Sequence, residues 1–541
     1  MDTGPFCFLM RPGKRLAVLL PLLIVNHACL AAGEFTTPAV TTARVEWRAV
    51  LDTLRSEIVS QPSVASAFTF PGRRRAPPSD PRSTPALVQL NAVTSDIFPG
   101  IGRSAVPVLL PFDTASFLAA RQSGAPASLS VSRYQADFRA AEMFDAGPAG
   151  YDAVFLLEPR PIDGLPPRIF TRPVEVQITG SLLSYDLDDP AGGRGEPVKA
   201  LGAQFPDLRR FIREGYVRYA FTRFGVPYVV SIQCLDSVPR AKRLACREAG
   251  PVAERFLKAL RVTGGLPSRP GIDRAAGTAE RPAAVSAAFT YLPPGDIVPN
   301  SGYRGQGGRA DLTSYSQIRF PLQNAPVYVK SQSFRDRKAS HKPKLLDRLS
   351  SGPEVYPWRD SFCEARDFGV GQCANGFGHQ GQDIRPACAS RSNAADRCDP
   401  AQQPVVAVRD GVLIRSRGEQ AATLQINSGL EHVRFRYMHM NPTAMDGDGV
   451  ASGRRVAEGE RIGVVSNYLD HPNGTTRHLH FDVQVFTRDG WLWVNPYATL
   501  ISAYERLIGG RGREIVPGVP ALPAVAHAMP EPPAGPAAST D

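Results

Sequence analysis

The histidines of this chain are concentrated in one stretch. Six of the nine lie between His379 and His480. Three short motifs carry most of them: G-H-Q-G-Q-D, which ends at Asp383, R-Y-M-H-M around His439, and R-H-L-H-F-D, which contains His478 and His480. Together the motifs hold three good ligands for a borderline-soft divalent metal and two imidazoles that remain for proton transfer. The fold must therefore bring side chains that are far apart in sequence around one point.

The last motif constrains the local structure most. If it is a β-strand, successive side chains alternate between the two faces of the strand. His478 and His480 then project from one face, while Leu479 and Phe481 point into the opposite layer. One histidine can bind a metal while the other contacts the water that the metal holds.

Taken in order, the motifs resemble the signature of the LytM and lysostaphin group of zinc metallopeptidases (peptidase family M23). That signature is H-x-G-x-D, then a histidine in a Y-x-H-L-like strand, then H-x-H. Here these positions are His379 to Asp383, Tyr437 to Met440 and His478 to His480. The resemblance covers roughly residues 311 to 510 and implies nothing about the front half.

The resemblance also implies a role for each residue. By motif position, the zinc ligands are His379, Asp383 and His480, and the catalytic histidines are His439 and His478. Three protein ligands leave a fourth zinc position open, and zinc lowers the pKa of bound water to ~7. His478 is expected to act as the general base. His439 would orient the water or stabilise the oxyanion on the scissile carbonyl.

Other residues near the motifs have less specific interpretations. A lone histidine in a strand is more often a packed or exposed residue than a ligand, and this applies to His341, His432, His471 and His527. H-x-H and H-x-G-x-D are each weak signals, but their order, with Y-x-H between them, favours a metal site. Asp482 is expected to be a surface group or a support for the site rather than a catalyst.

The N-terminus, residues 1–32, has the pattern of a secretory signal peptide. Basic residues from Arg11 to Arg15 precede an apolar core from Leu16 to Val25, and Ala28 to Ala32 offers small residues for cleavage. This core is shorter than the ~20 residues of a membrane-spanning helix. The sequence predicts export to the periplasm or cell envelope, with membrane contact only through the signal before its cleavage. A lipoprotein anchored at Cys29 is the less favoured alternative.

Six cysteines remain after the signal peptide. An even number in an oxidising compartment predicts disulfides. Cys234 and Cys246 lie alone in the front half and are expected to pair with each other. The other four cysteines allow three pairings, of which the one with the shortest loops is expected to form first. The expected pairs are Cys234 with Cys246, Cys363 with Cys373, and Cys388 with Cys398. A second zinc site built from these cysteines is the alternative, although no C-x-x-C spacing occurs.

The formal net charge of +11 favours binding to polyanions. The arginines are spread along the chain, and no basic patch interleaved with aromatic residues or known nucleic-acid motif is present. We therefore expect no nucleic-acid partner. A carboxylate-rich polymer such as peptidoglycan fits this charge.

Residues 40–265 are predicted to form an α+β domain of unknown function. Val45 to Ser60 has the spacing of an amphipathic helix, and a second helix around Val252 to Leu260 closes the region. Strand-like runs lie between them, at Leu87–Val93, Val106–Leu110, Tyr151–Glu158, Val174–Ile178 and Tyr216–Cys234.

A multidomain chain is predicted. Residues 266–310 have the composition of a flexible linker, which would let the front domain move relative to the rear one. Short apolar runs at close spacing over 311–510, with sparse helical periodicity, predict a mainly antiparallel β domain with a groove across its sheet. The resemblance of the motifs implies that this is a LytM/lysostaphin-like peptidase domain. The Pro/Ala-rich tail, 511–541, is expected to be disordered.

These patterns predict an exported zinc-dependent endopeptidase that hydrolyses peptide bonds in peptidoglycan stem peptides or cross-links. The metal chemistry follows from the residues, whereas the substrate follows from the resemblance and the signal peptide. One alternative is a non-catalytic module that binds the cell wall or activates other hydrolases. Another is a secreted zinc protease that acts on protein.

Overall fold

The fold is known from a computed structural model. It describes residues 35–59, 85–122, 138, 143–157, 174–187, 195–213, 216–233, 244–267, 311–329, 358, 360–364, 366, 368–373, 376–386, 403–467 and 477–508. The expected signal peptide, the tail and most of the expected linker lie outside these residues. So do His341, His471, His527 and at least one cysteine of two expected disulfides. Within the described ranges, no helix has both the length and the apolar character to span a membrane.

The front part of the chain combines one large sheet with helices. Its elements are β1 (Val40–Thr42), α1 (Trp47–Val59), α2 (Pro85–Thr94), β2 (Val108–Leu110), α3 (Thr114–Gln122), β3 (Met143–Gly147), β4 (Gly150–Leu157), β5 (Val174–Ser181), β6 (Leu183–Tyr185), β7 (Glu196–Pro197), β8 (Arg209–Arg213), β9 (Tyr216–Arg223), β10 (Val226–Gln233), α4 (Leu244–Ala259) and β11 (Arg261–Gly264). Seven strands form an antiparallel front sheet in the order β3-β4-β5-β10-β9-β8-β7. Helices α1, α2 and α4 share one hydrophobic core with it.

The predicted strand at Leu87–Val93 is wrong, because this segment belongs to helix α2. Its buried residues recur with helical spacing: Leu87, Leu90 and Thr94 are inaccessible, whereas Val88 is 50% exposed. A short run of mostly apolar residues does not distinguish the period of a helix from that of a strand. The predicted helix from Val45 and the strand from Tyr151 are confirmed as α1 and β4.

The rear part is mainly antiparallel β, as predicted. Its elements are β12 (Val327–Val329), β13 (Gln382–Pro386), β14 (Pro404–Val406), β15 (Gly411–Ile414), β16 (Ala422–Asn427), β17 (His432–Met438), α5 (Pro442–Gly447), β18 (Arg455–Val456), β19 (Arg461–Val464), β20 (Leu479–Thr487), β21 (Gly490–Val494) and α6 (Tyr497–Ile508). The rear sheet has the order β12-β13-β20-β17-β16-β15-β18, and β21 pairs with β20. Helix α6 is an element that the sequence patterns above do not predict, although its polar residues recur with helical spacing.

Strand alternation sorts the rear sheet into two faces. On one face, Val433 and Phe435 of β17 and Phe481 of β20 are buried in a hydrophobic core. The register pairs Arg436 with Asp482 and Met438 with His480, and these residues lie on the opposite face. That second face carries the candidate site.

The front sheet packs against this same second face through buried polar contacts. The carboxylate of Asp152 in β4 accepts hydrogen bonds from His432 Nε2 at 2.7 Å and from Arg434 Nη2 at 3.1 Å. Thr179 Oγ1 donates to the same carboxylate at 2.6 Å. The Trp491 indole donates to Thr179 Oγ1 at 3.2 Å and lies under the Arg434 guanidinium. His432 is thus a packed residue, as expected.

Two hydrophobic clusters also join the sheets. In one, Phe211 and Val229 of the front sheet pack with Phe486 and Trp491 of the rear sheet. In the other, the front strands contribute Met143 and Val154 and the rear strand β15 contributes Val412 and Ile414. These contacts join the front sheet to the rear sheet.

Candidate metal centre

Three side chains from neighbouring strands converge at the second face of the rear sheet. His379 lies just before β13, and the register pairs Asp383 of β13 with His480 of β20. His379 Nε2 lies 3.2 Å from Asp383 Oδ1 and 3.1 Å from His480 Nδ1. His480 Nδ1 lies 3.0 Å from Asp383 Oδ1. All three residues are buried, and the structure thus brings together the predicted ligand set.

This arrangement could hold one metal ion. Bonds of ~2.0–2.1 Å that meet at a tetrahedral angle place ligand atoms ~3.3 Å apart. The observed separations of 3.0–3.2 Å are close to that spacing. Two imidazole nitrogens and one carboxylate oxygen are a donor set that suits zinc.

Position 381 requires glycine, because the neighbouring backbone leaves no room for a Cβ atom. A Cβ at this position would lie 2.3 Å from the Phe481 carbonyl oxygen and 2.9 Å from His480 Nε2. The contact with backbone oxygen cannot be relieved by rotation of a side chain. Only glycine therefore lets the segment between His379 and Asp383 lie against β20.

The protonation states of the ligands are set by their neighbours. Burial would raise the pKa of Asp383, but the charges of His379 and His478 and hydrogen bonds from the histidines hold it well below its usual value. Burial lowers the pKa of His379. Burial would also lower the pKa of His480, but its contacts with the carboxylates of Asp383 and Asp482 raise it. Metal binding at His480 therefore competes with a proton.

Asp482 supports His480 from the side away from the ligand cluster. Its Oδ2 lies 3.3 Å from His480 Nε2 and 2.7 Å from Arg436 Nη2, and its Oδ1 accepts from the Trp493 indole at 3.1 Å. A carboxylate in this position fixes the ring orientation of a metal-binding histidine. Asp482 is inaccessible to solvent, so the surface alternative is wrong and the supporting one agrees with the contacts. Sequence patterns do not reveal the contacts of Arg436 and Trp493 with Asp482, because these contacts depend on strand register.

The other two predicted site residues, His439 and His478, lie side by side next to this cluster. Their ring centroids are 4.7 Å apart. His478 Nε2 lies 3.5 Å from Asp383 Oδ1, and the His439 ring centroid is 6.1 Å from that of His480. Burial, together with the charges of His478 and His480, holds the pKa of His439 well below its usual value. Both rings can therefore reach a small molecule held beside the three converging atoms.

A disulfide holds the loop that carries His379. Cys363 and Cys373 are bonded, which confirms one of the expected pairs. The backbone of Cys363 donates to the His379 carbonyl at 2.9 Å, and the His379 backbone donates to the Glu364 carbonyl at 2.8 Å. His379 Nδ1 lies 3.2 Å from the Ser361 carbonyl oxygen, which orients Nε2 towards Asp383. The disulfide loop is thus part of the support of this ligand.

Replacing Cys363 and Cys373 together by serine is expected to destabilise the protein by about 2–3 kcal/mol, as for other short disulfide loops. Zinc affinity should also fall, because the backbone contacts that hold His379 become less ordered. Chemical denaturation and competition with a zinc chelator measure the two effects. Unchanged zinc affinity would show that the loop holds His379 without the disulfide.

Comparison with known proteins gives limited information. No protein-family model matches the chain, and no curated protein matches it. The chain is similar to the solved structure of "a putative glycyl-glycine endopeptidase lytM" from Ruminococcus gnavus, with 22% sequence identity and a TM-score of 0.17. The match covers 23% of this chain and 47% of the other, which is about half of that chain's length. A TM-score this low does not establish a shared fold.

Proposed function

We propose that this chain is an exported zinc-dependent endopeptidase that hydrolyses peptide bonds in peptidoglycan stem peptides or cross-links. The observation that carries the proposal is the convergence of His379, Asp383 and His480 beside two further histidines. The resemblance of the motifs to the LytM and lysostaphin group supports peptidoglycan as the substrate. The signal-like N-terminus supports action in the periplasm or cell envelope.

The residues divide the chemistry between them. Zinc bound by His379, Asp383 and His480 would polarise a carbonyl and lower the pKa of water. His478, whose Nε2 lies 3.5 Å from Asp383 Oδ1, would take the proton from the attacking water and pass it to the leaving amine. His439, on the other side of His478, would orient the water or stabilise the oxyanion.

Replacing His478 by alanine is expected to leave the zinc content unchanged while turnover falls by ~10²–10⁴, the usual contribution of a general base. The His478 ring is not one of the three converging groups, so its loss should leave those groups in place. Elemental analysis gives the zinc content, and release of soluble muropeptides from purified sacculi gives the turnover. Loss of zinc in this variant would contradict the division between ligand and base.

The assay on sacculi also separates the proposed function from its alternatives. Zinc-dependent release of muropeptides supports the endopeptidase, and mass spectrometry of the products identifies the bond that is cut. Binding to sacculi without release would indicate a binding or activating module. Degradation of an unfolded protein with intact sacculi would indicate a protease that acts on protein.

A further inference from the structure

We propose that Gln420 is a positioning residue that fixes the ring of His439 with Nε2 as a hydrogen-bond acceptor directed at the reaction centre. The part of the proposal that concerns the reaction rests on the proposed function. The part that concerns the ring follows from the contacts of two side chains. The motifs do not include Gln420, so sequence patterns alone do not identify it.

Gln420 lies directly opposite His439, just beyond the paired ends of the neighbouring strands β16 and β17. The register of β16 and β17 pairs Ala422 with Tyr437 in an antiparallel ladder. Two positions further along each chain, beyond the paired strands, Gln420 is opposite His439. Its Oε1 lies 2.8 Å from His439 Nδ1. The contact is partly buried, so water competes with it less than at an open surface.

This hydrogen bond selects one tautomer of the ring. An amide oxygen can only accept, so His439 Nδ1 must carry the hydrogen. In a neutral imidazole the other nitrogen, Nε2, then has a lone pair and no hydrogen. Nε2 can therefore accept a hydrogen bond from water, but in this state it cannot donate one to an oxyanion.

The backbone of His439 also has an uncommon conformation. His439 has φ 68°, in the left-handed region that few residues other than glycine adopt. The chain turns here from β17 towards α5, whose first turn is capped by the Asn441 side chain. Outside the regular strand, the ring lies between Gln420 on one side and His478 on the other. An uncommon backbone conformation held in this way is typical of functional sites.

The tautomer decides between the two roles that the sequence left open for His439. With Nε2 as acceptor, the ring orients the attacking water at the start of the reaction. His478 remains the group that takes the proton and passes it to the leaving amine. Stabilisation of the oxyanion by His439 would require the opposite tautomer or a protonated ring.

Three variants of the full-length zinc-loaded protein test this role. Gln420→Met has a similar length but no amide oxygen, whereas Gln420→Glu keeps an acceptor. Glu419→Met changes the adjacent residue of the same loop and serves as the matched control. With a soluble cross-linked muropeptide as substrate, kcat of Gln420→Met should fall by ~10–100-fold, because misplacing a reacting group by about 1 Å can cost 10²-fold. KM and zinc content should not change, and Gln420→Glu and Glu419→Met should stay within a few-fold of wild type.

The tautomer itself can be measured without any substrate. The ¹⁵N chemical shifts of labelled histidine distinguish a ring with hydrogen on Nδ1 from one with hydrogen on Nε2. We expect Nδ1–H at His439 in wild type and in Gln420→Glu, and a mixture of tautomers in Gln420→Met. Hydrogen on Nε2 in wild type, or unchanged tautomer and kcat in Gln420→Met, would overturn the proposal. If the chain cleaves no muropeptide but the shifts follow this pattern, the proposed function fails while the positioning of His439 stands.

Discussion

Replacing His480 by alanine is expected to abolish both zinc binding and peptidase activity. His480 Nδ1 lies within 3.1 Å of the other two converging atoms, so its loss leaves only two protein ligands. Activity should fall by more than the ~10⁴ that general base catalysis alone can contribute, because the metal is lost together with the geometry that it imposes. Elemental analysis and muropeptide release measure the two effects on the same preparation.

Replacing Asp482, the carboxylate that contacts His480, by alanine is expected to weaken zinc binding without abolishing it. In Asp482→Ala the three converging atoms remain, but the 3.3 Å contact that orients His480 is removed. Zinc affinity should then fall by ~10–100-fold rather than disappear. A His480→Ala protein that still binds a full equivalent of zinc would refute the ligand set.

Replacing Asp152 by alanine is expected to destabilise the protein by about 3–5 kcal/mol, the cost of leaving a buried charge without its partner. The carboxylate accepts from His432 and Arg434 of the rear sheet, and both are buried at the interface between the sheets. Alanine leaves the buried Arg434 guanidinium with fewer partners. Chemical denaturation followed by tryptophan fluorescence measures the loss.

Glu254→Ala is the matched control, because it removes a carboxylate from an exposed pair. Glu254 lies 2.6 Å from Lys258 on the surface of α4, where such a pair contributes less than about 1 kcal/mol. If Asp152→Ala unfolds at the same denaturant concentration as this control, the buried network does not stabilise the interface.

The same carboxylate predicts how stability changes with acid. Burial would raise the pKa of Asp152, but the charges and hydrogen bonds of His432 and Arg434 lower it. Its contribution is therefore present above the unfolded pKa of ~3.9 and is lost as the pH falls towards the lower folded value. Asp152→Ala should accordingly lose less stability than wild type between neutral pH and pH 3.

The sequence could predict the parts of the site that depend on residue type and strand alternation. The motifs place His478 and His480 two positions apart, and the structure brings His480 to Asp383 and His379. The Cys363–Cys373 disulfide was also predictable, because its loop is short. No pattern along the chain shows which strands become neighbours, so the contacts of Gln420 with His439 could not be predicted.

The contacts between the front sheet and the rear sheet could not be predicted from the sequence either. His432 has no motif around it, and its partner Asp152 is 280 positions away. Helix α6, by contrast, has Thr499, Ser502 and Arg506 at helical spacing on one face, so its sequence pattern could have predicted it. Tertiary packing, rather than local preference, determines the pairing of His432 with Asp152.

The position of the front sheet limits the path of any polymer that reaches the three converging residues. Along β20, Gln484 is four residues beyond His480, or ~13 Å at the rise of a strand, and Phe486 beyond it is already covered by front-sheet side chains. A glycan or peptide that ran lengthwise along β20 from the proposed site would therefore meet the front sheet at Phe486. The front sheet thus bounds one side of the approach to the three converging residues.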